Sequence, residues 1–531
     1  MSRTIFAANV CLALLFAGAS LSRAEAQTNH QPPLGVYAHV SVDNAIKAYK
    51  KYRKSAGGNA EDEHTYLRNL YYGILNDNPA VAGITFGIYW DRIQKSDPDC
   101  ASLQNCKPGT DLNGNDWSYL DDVFTEAKAT GKQVQLILTP GVDSPSWLFD
   151  RLLPTCDTLF GTANSGPVPN CGFVTFSKFP EMQHADGNKM PLPWSGIYQY
   201  WWQQFLIEVN AKFGDDKDFV AIAIAGPICA STEMILPTSR NGSRQSPGVK
   251  ADHAWSTLIG NSDQLSSYEY QHSDQIFVEQ WVTAIQTYEE IFKNVTLFLS
   301  PDSGDDFPEF GEKPIENGGW LFTADCSTAA KYPMSCDAKT QVLSYFLSTE
   351  YGRQLATQVG GMTASSATTP EDGDTGIGVG GVKVLTGLPQ TSAGTRILGG
   401  AEFDWSVTTD VLSTREGQGC TQQERMHKEC KGISPELAAY NTLAVFFYGT
   451  EFGQDYGLPA DTPVTGPMQW VDIDYTDIVW AQTNGPSSSD DGVPCNLSLQ
   501  ELINEASFDL FYIANQAPPV PAPRVPPGCE Y

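Results

Sequence analysis

The sequence predicts an α/β fold, a (β/α)8 TIM barrel with disulfide-pinned loop insertions. Short apolar runs rich in β-forming residues alternate with amphipathic stretches of helical length, which is the pattern of parallel strands joined by crossover helices. Eight such runs can be counted between Leu34 and Asp472. Most cysteines fall in close sequence pairs, so that loops, not distant elements, are tied together. A barrel needs about 250 residues and insertions carry many beyond 400, so the 531 residues accommodate one decorated barrel.

The first strand is expected at Leu34–Val40, with a helical stretch at Glu63–Leu75. The second is Val81–Tyr89 (VAGITFGIY), apolar nearly throughout, as parallel strands covered on both faces are. A helix from Trp117 to Ala129 ends before Gly131, a C-terminal cap. Strand three follows at Gln133–Leu138, a helix at Gly196–Phe213 and strand four at Phe219–Ala225. The next helix spans Ser273–Phe292 and strand five Val295–Leu299. A helix is expected at Lys339–Tyr351 and strand six at Val359–Thr363; Gly- and Thr-rich sequence from Ala364 to Thr395 stands where a sixth helix would be. Strand seven is Arg396–Glu402, a helix runs over Pro435–Phe447, and strand eight is Met468–Asp472. The last helices fall at Tyr475–Ala481 and Leu499–Ala514. No period of 20–50 residues repeats, which argues against a solenoid.

The domain organisation follows. Residues 1–27 read as a secretory signal peptide: Arg3, an apolar run from Ile5 to Ala19, then Ala24-Glu25-Ala26. That run is shorter than the ~20 apolar residues a spanning helix needs. The barrel occupies 28–516, and 517–531 is a Pro-rich C-terminal tail that cannot be helical. The expected location is secreted or periplasmic. Cysteine usage agrees with export: adjacency pairs Cys100 with Cys106, Cys156 with Cys171, Cys326 with Cys336, Cys420 with Cys430 and Cys495 with Cys529, leaving Cys229 as a buried free thiol. The net charge of −29 argues against nucleic acid and against anionic membrane surfaces, both of which call for Lys and Arg. Sequence does not fix the oligomeric state.

In such a barrel the site lies at the C-terminal ends of the strands. The residues there are His39; Tyr89, Trp90 and Asp91; Thr139, Pro140, Asp143 and Trp147; Glu233, beyond Gly226-Pro227; Ser300, Pro301 and Asp302; Glu402, Asp404 and Trp405; and Gln469, Trp470, Asp472 and Asp474. This set is rich in carboxylates and Trp and poor in His and Lys. Glycoside hydrolysis uses that mixture: one carboxyl protonates the leaving oxygen, and a second attacks carbon or activates water. Aromatic rings stack on the apolar faces of sugars. The catalytic pair is read as Glu233, set in an apolar context by Met234-Ile235-Leu236-Pro237, and Glu402, which closes an apolar strand. Trp90, Asp91, Trp147, Asp302, Asp404, Trp405, Trp470 and Asp472 are read as substrate-binding. Each Trp could equally pack the core, each Asp could equally cap a loop, and His39 reads as structural.

The segments AIAIAGPICASTEMILP and ILGGAEFDW resemble the fourth and seventh strand ends of clan A glycoside hydrolases. GITFGIYWDRI and WSYLDDVFTEAKATGKQVQLILTPG resemble barrels of the family 42 kind, and the likeness extends from Leu34 to Trp480. The resemblance implies Glu402 as nucleophile and Glu233 as acid/base of a retaining enzyme. Clan A enzymes usually carry Asn before the acid/base Glu, whereas Thr232 stands here. GPICASTEMILP also resembles the corresponding segment of β-amylases, which invert. An inverting hydrolase with the same pair, and a non-catalytic carbohydrate-binding barrel, therefore stay open. The expected partner is an oligosaccharide, polysaccharide or simple glycoside.

Other chemistries lack their motifs. The chain has no G-x-x-x-x-G-K-[ST] phosphate loop, no H-E-x-x-H and no G-x-S-x-G elbow. The Gly-rich run at 376–381 precedes no convincing helix. No metal and no cofactor is expected.

Overall fold

The computed structural model describes residues 30–152, 172–175, 189–226, 273–299, 355–362, 398–403, 406, 435–437, 439–440, 443, 468–483 and 494–513. Eight strands lie in chain order at Gly35–Ser41 (β1), Val81–Tyr89 (β2), Gln133–Thr139 (β3), Phe219–Ala223 (β4), Thr296–Leu299 (β5), Leu355–Met362 (β6), Leu398–Phe403 (β7) and Met468–Asp474 (β8). Each pairs in parallel with the next, and β8 returns to β1, so the curled sheet closes. Closure leaves no unpaired edge.

Crossover helices are described after β1 (Val42–Ala56, α1, and Glu63–Asp77, α2), β2 (Ser118–Thr130, α3), β3 (Ser146–Leu152, α4, and Gly196–Phe213, α5) and β4 (Ser273–Ile291, α6). Tyr475–Ala481 (α7) and Leu499–Ile513 (α8) follow β8. Phe173–Thr175 and Lys189–Pro191 form a two-stranded antiparallel ribbon between α4 and α5.

The period of two within the strands sorts their side chains into two cores. Val36, Ala38 and Val40, then Ile84, Phe86 and Ile88, then Val134, Leu136 and Leu138 join the layer shared with the helices. Tyr37, Ile137, Ala221, Ala223, Phe298 and Trp470 form a second cluster within the sheet. Gly83 belongs to that inner face, and a Cβ there would lie 2.5 Å from the Tyr37 ring and 2.4 Å from the Gln133 carbonyl oxygen. Tyr37 therefore fits only because residue 83 has no side chain.

α1 was not marked by any long apolar run. Its buried residues Val42, Ala45, Ile46 and Tyr49 follow helical spacing, but five basic residues interleave with and follow them. α2 begins on the Asp62 side chain, which accepts from the Thr65 amide at 3.0 Å. α8 begins with a capping box: Glu501 accepts from the Ser498 amide at 2.8 Å and Ser498 Oγ from the Glu501 amide at 3.3 Å.

Of the cysteine pairings, Cys100–Cys106 is formed, and Cys495 is also disulfide-bonded. The other cysteines expected to pair, Cys229, the segment read as a signal peptide and the Pro-rich tail lie outside the described residues, as does the helix expected at Lys339–Tyr351.

Candidate active site

Glu402 is the penultimate residue of β7, and its register partner on β8 is Asp472. Asp472 in turn pairs with Tyr37 on β1, and His39 pairs with Asp474 and Thr85. Two neighbouring strand ends, β7 and β8, thus bring acidic positions 402, 472 and 474 to adjoining levels, with His39 of β1 beside 474. Asp472 is fully buried and accepts a hydrogen bond from Thr85 Oγ1 at 2.7 Å. That bond runs from β2 to β8 across the intervening β1. Burial raises the Tyr37 hydroxyl far above the ordinary phenol range and the Asp472 charge adds to the rise, while the Leu34 amide and Gln135 act against it. Tyr37 therefore stays protonated and donates to Gln133 Oε1.

Above the ends of β1, β2 and β3 stands a second polar group. Arg92 Nη2 meets Asp43 Oδ1 at 2.8 Å. Burial works to lower the guanidinium's pKa, but Asp43 and Asp91 outweigh it and raise the value. Tyr89 is raised by burial first and then by the charges of Asp143 and Asp43. Asp143 ends the short turn Gly141–Asp143 after β3 and is almost completely buried. A neutral phenol beside a paired guanidinium and several carboxylates supplies both donors and acceptors. Hydroxyl-rich substrates are bound by such mixtures.

The aromatic residues expected as sugar platforms have well-defined places. Trp90 is 0 % exposed and packs against Trp147, Trp202 and Phe205 with ring centroids 5.9, 5.0 and 5.7 Å away. Its indole N–H donates to Gln94 Oε1 at 2.9 Å. Trp147 donates to the Gln94 carbonyl at 3.2 Å, stacks edge-on against Trp201 and lies under the Arg151 guanidinium. Arg151 also bonds Asp97 and Asp99, so the loop stapled by Cys100–Cys106 is anchored to α4. Trp470 is 0 % exposed and meets Phe298 at 6.0 Å in the inner cluster. In these places the rings are packed against protein groups and support the strand ends.

Asp91 and Asp472 thus stand at the described strand ends. For Glu402 the structure gives the backbone position. Glu233, Asp302, Asp404 and Trp405 lie outside the described residues. Thr85, Tyr37, Asp43 and Arg92 were not singled out from the sequence. A period-two signal was present for Thr85: Gly83, Thr85, Gly87 and Tyr89 are the small or polar positions in an otherwise apolar strand. Among the described residues, no three or more His, Cys, Asp or Glu side chains are gathered as a metal cage.

No family model matches the sequence, and no curated protein matches it. Among solved structures the chain is similar to the catalytic domain of a β-amylase from Paenibacillus polymyxa, at 12% identity and a TM-score of 0.39, over 92% of this chain and 100% of that one. It is similar to a β-galactosidase from Rahnella sp. R3 at 8% identity and a TM-score of 0.38, over 94% of this chain and 59% of that one. For a family 42 β-galactosidase from G. stearothermophilus the values are 10% and 0.40, over 92% and 58%. The chain thus spans about three fifths of the length of each of these two β-galactosidases. At these identities and TM-scores, no residue of this chain takes a role from those proteins.

Proposed function

We propose that the protein is an exported glycoside hydrolase that cleaves an oligosaccharide, polysaccharide or simple glycoside with two carboxyl groups. The observation that carries this reading is the position of Glu402, at the C-terminal end of the seventh strand of a closed parallel sheet and level with the buried Asp472. Barrel enzymes place their chemistry at that end of the strands.

In this reading Glu402 attacks the anomeric carbon and forms a glycosyl-enzyme as the bond to the leaving oxygen breaks. Glu233, beyond the end of β4, gives that oxygen its proton and then takes one from the incoming water. Two carboxyls in opposite roles need environments that separate their pKa values. The apolar Met234-Ile235-Leu236-Pro237 beside Glu233 favours its protonated form, while Glu402 has to be held ionised by hydrogen-bond donors against the acidic position beside it. Asp91, Asp302, Asp404 and Trp405 complete the proposed binding surface; Trp90, Trp147, Trp470 and Asp472, expected from the sequence to touch substrate, are buried against protein groups and instead support the strand ends. The same reading extends the closed sheet to a full (β/α)8 unit over 28–516, with the remaining cysteine pairs pinning its loops. The Cys100–Cys106 bond supports an oxidising destination, secreted or periplasmic.

The mechanism is tested by following the anomeric configuration of the first-formed product by proton NMR. Retention is expected. Inversion would reassign Glu402 as the base that activates water, and absence of any product across a broad glycoside panel would leave a binding barrel and defeat the hydrolase reading.

A further inference from the structure

Gly83 and Gly87 both lie on the inner face of β2, but the fold requires glycine at only one of them. A Cβ at Gly83 would strike the Tyr37 ring. At Gly87 the nearest atoms to a Cβ would be His39 Nε2 and the Val40 carbonyl oxygen, each 3.8 Å away, which is ordinary van der Waals contact. The Gly87 backbone is not in the left-handed region either. Glycine inside a strand weakens it, and where neither packing nor φ calls for it, it marks close approach by a ligand or by another backbone.

The burial pattern decides between the two. The inner-face residues Tyr37, Thr85 and Asp472 are 0 % exposed and fill the barrel. One step further toward the strand ends, His39, Gly87 and Tyr89 are only partly buried. They belong to the inner face of a closed sheet, so solvent reaches them through the mouth at the C-terminal ends of the strands. The space in front of Gly87 is therefore open, with Thr85 beneath it and the His39 imidazole at its edge. Carboxylates stand around the mouth: Asp43 and Asp91 are each the second residue past a strand, Asp143 closes the turn after β3, and the Arg92 guanidinium is paired with Asp43. An anionic ligand would meet like charge there.

We propose that Gly87 and His39 form a specificity-determining subsite, in which the bare backbone of β2 admits the ring of a neutral sugar unit and the imidazole hydrogen-bonds one of its hydroxyls. An imidazole and a hydroxyl can each donate or accept, so either tautomer serves. The ligand class rests on the glycoside hydrolase reading; the open space beside Gly87 does not. A side chain at position 87 would occupy the room that the ring needs, without disturbing the packing below it.

The test uses the full chain with neutral 4-nitrophenyl hexosides and pentosides and with 4-nitrophenyl glucuronide. On the best neutral substrate, Gly87→Ala should lower kcat/KM about 10-fold and Gly87→Val about 100-fold, mainly through KM, while the Tm of Gly87→Ala equals or exceeds the parent's. His39→Ala should lose about 10-fold. Variants at position 87 that keep the parent's kcat/KM would overturn the subsite, and a glucuronide turned over as well as the neutral glycosides would overturn its preference for neutral sugars. A parent that hydrolyses none of them defeats the hydrolase reading separately. Calorimetric titration of the same glycosides into the parent and Gly87→Val then decides the subsite: weaker binding by the variant upholds it, and equal binding, or none by either protein, overturns it.

Discussion

Replacing Thr85 by Val removes the hydroxyl that donates to Asp472 and keeps the branched shape of the side chain. The bond is 2.7 Å long, and both residues are 0 % exposed, so water cannot replace the lost donor. Leaving a buried acceptor one partner short costs about 1–3 kcal/mol, and full burial at both ends places this case in the upper half of that range. The internal comparison is Thr65, whose Oγ1 donates to Asp62 Oδ2 at the same 2.7 Å but on the exposed first turn of α2. Thr65→Val should cost clearly less, since water takes over and the Thr65 amide still donates to Asp62. Urea denaturation of the parent and both variants measures the difference. If Thr85→Val is no more destabilising than Thr65→Val, Asp472 is not held inside the barrel as described, and the support beneath the Glu402 level falls with it.

Three further outcomes are expected. Gly83→Ala would force a methyl group against the Tyr37 ring and the Gln133 carbonyl, and should cost about 1–3 kcal/mol by urea denaturation; an unaffected midpoint would mean that the inner face is looser than described. Burial works to raise the Asp116 carboxyl, but Lys95 and Ser118 outweigh it and hold it below its ordinary range; Asp97 is held low in the same way by Arg151 and the Asp99 amide. A carboxyl lowered on folding contributes stability above its unfolded pKa of about 3.9, and that contribution is lost as pH falls through the folded value. Melting temperature should therefore drop below about pH 4, and Asp116→Asn should flatten part of that drop; an identical acid profile would contradict the assignment. Glu233→Gln should lower kcat/KM on an alkyl glycoside about 10²–10⁴-fold and less on a nitrophenyl glycoside, whose leaving group needs little protonation. Equal losses on both would remove Glu233 from the acid role.

The strands were the most legible part of the chain. Val81–Tyr89 matches to the residue, and β1, β3, β4, β5 and β7 fall within two residues of their expected ends, because strands covered on both faces are written as nearly unbroken apolar runs. β6 begins at Leu355, not at Val359, since Ala356, Thr357 and Gln358 carry no such run. β8 continues past Asp472 to Asp474. Acidic residues look like terminators in sequence, yet here they occupy alternate positions of a strand in a closed sheet. α1 is hidden by its four lysines and one arginine, which flank a narrow apolar stripe.

The site was legible only at strand ends. Looking beyond each strand finds Tyr89, Asp91 and Asp143, but Thr85 and Tyr37 lie within strands, and the Arg92–Asp43 pair joins two crossovers whose meeting no local pattern records. Trp90 and Trp470 show a different limit. A Trp at a strand end has the same signature whether its ring meets a sugar or a neighbouring ring, and only the surroundings of Trp90, four aromatic rings within 6.4 Å, tell which contacts it makes in this fold.

Turnover of a panel of aryl glycosides by the parent and by Glu402→Gln tests the nucleophile itself. Measurable hydrolysis of at least one member by the parent is expected, with a fall in kcat of about 10⁴-fold or more in the variant and its fold and melting profile retained. A Glu402→Gln protein that turns over the same glycoside at the parent's rate would contradict the assignment of Glu402 as nucleophile.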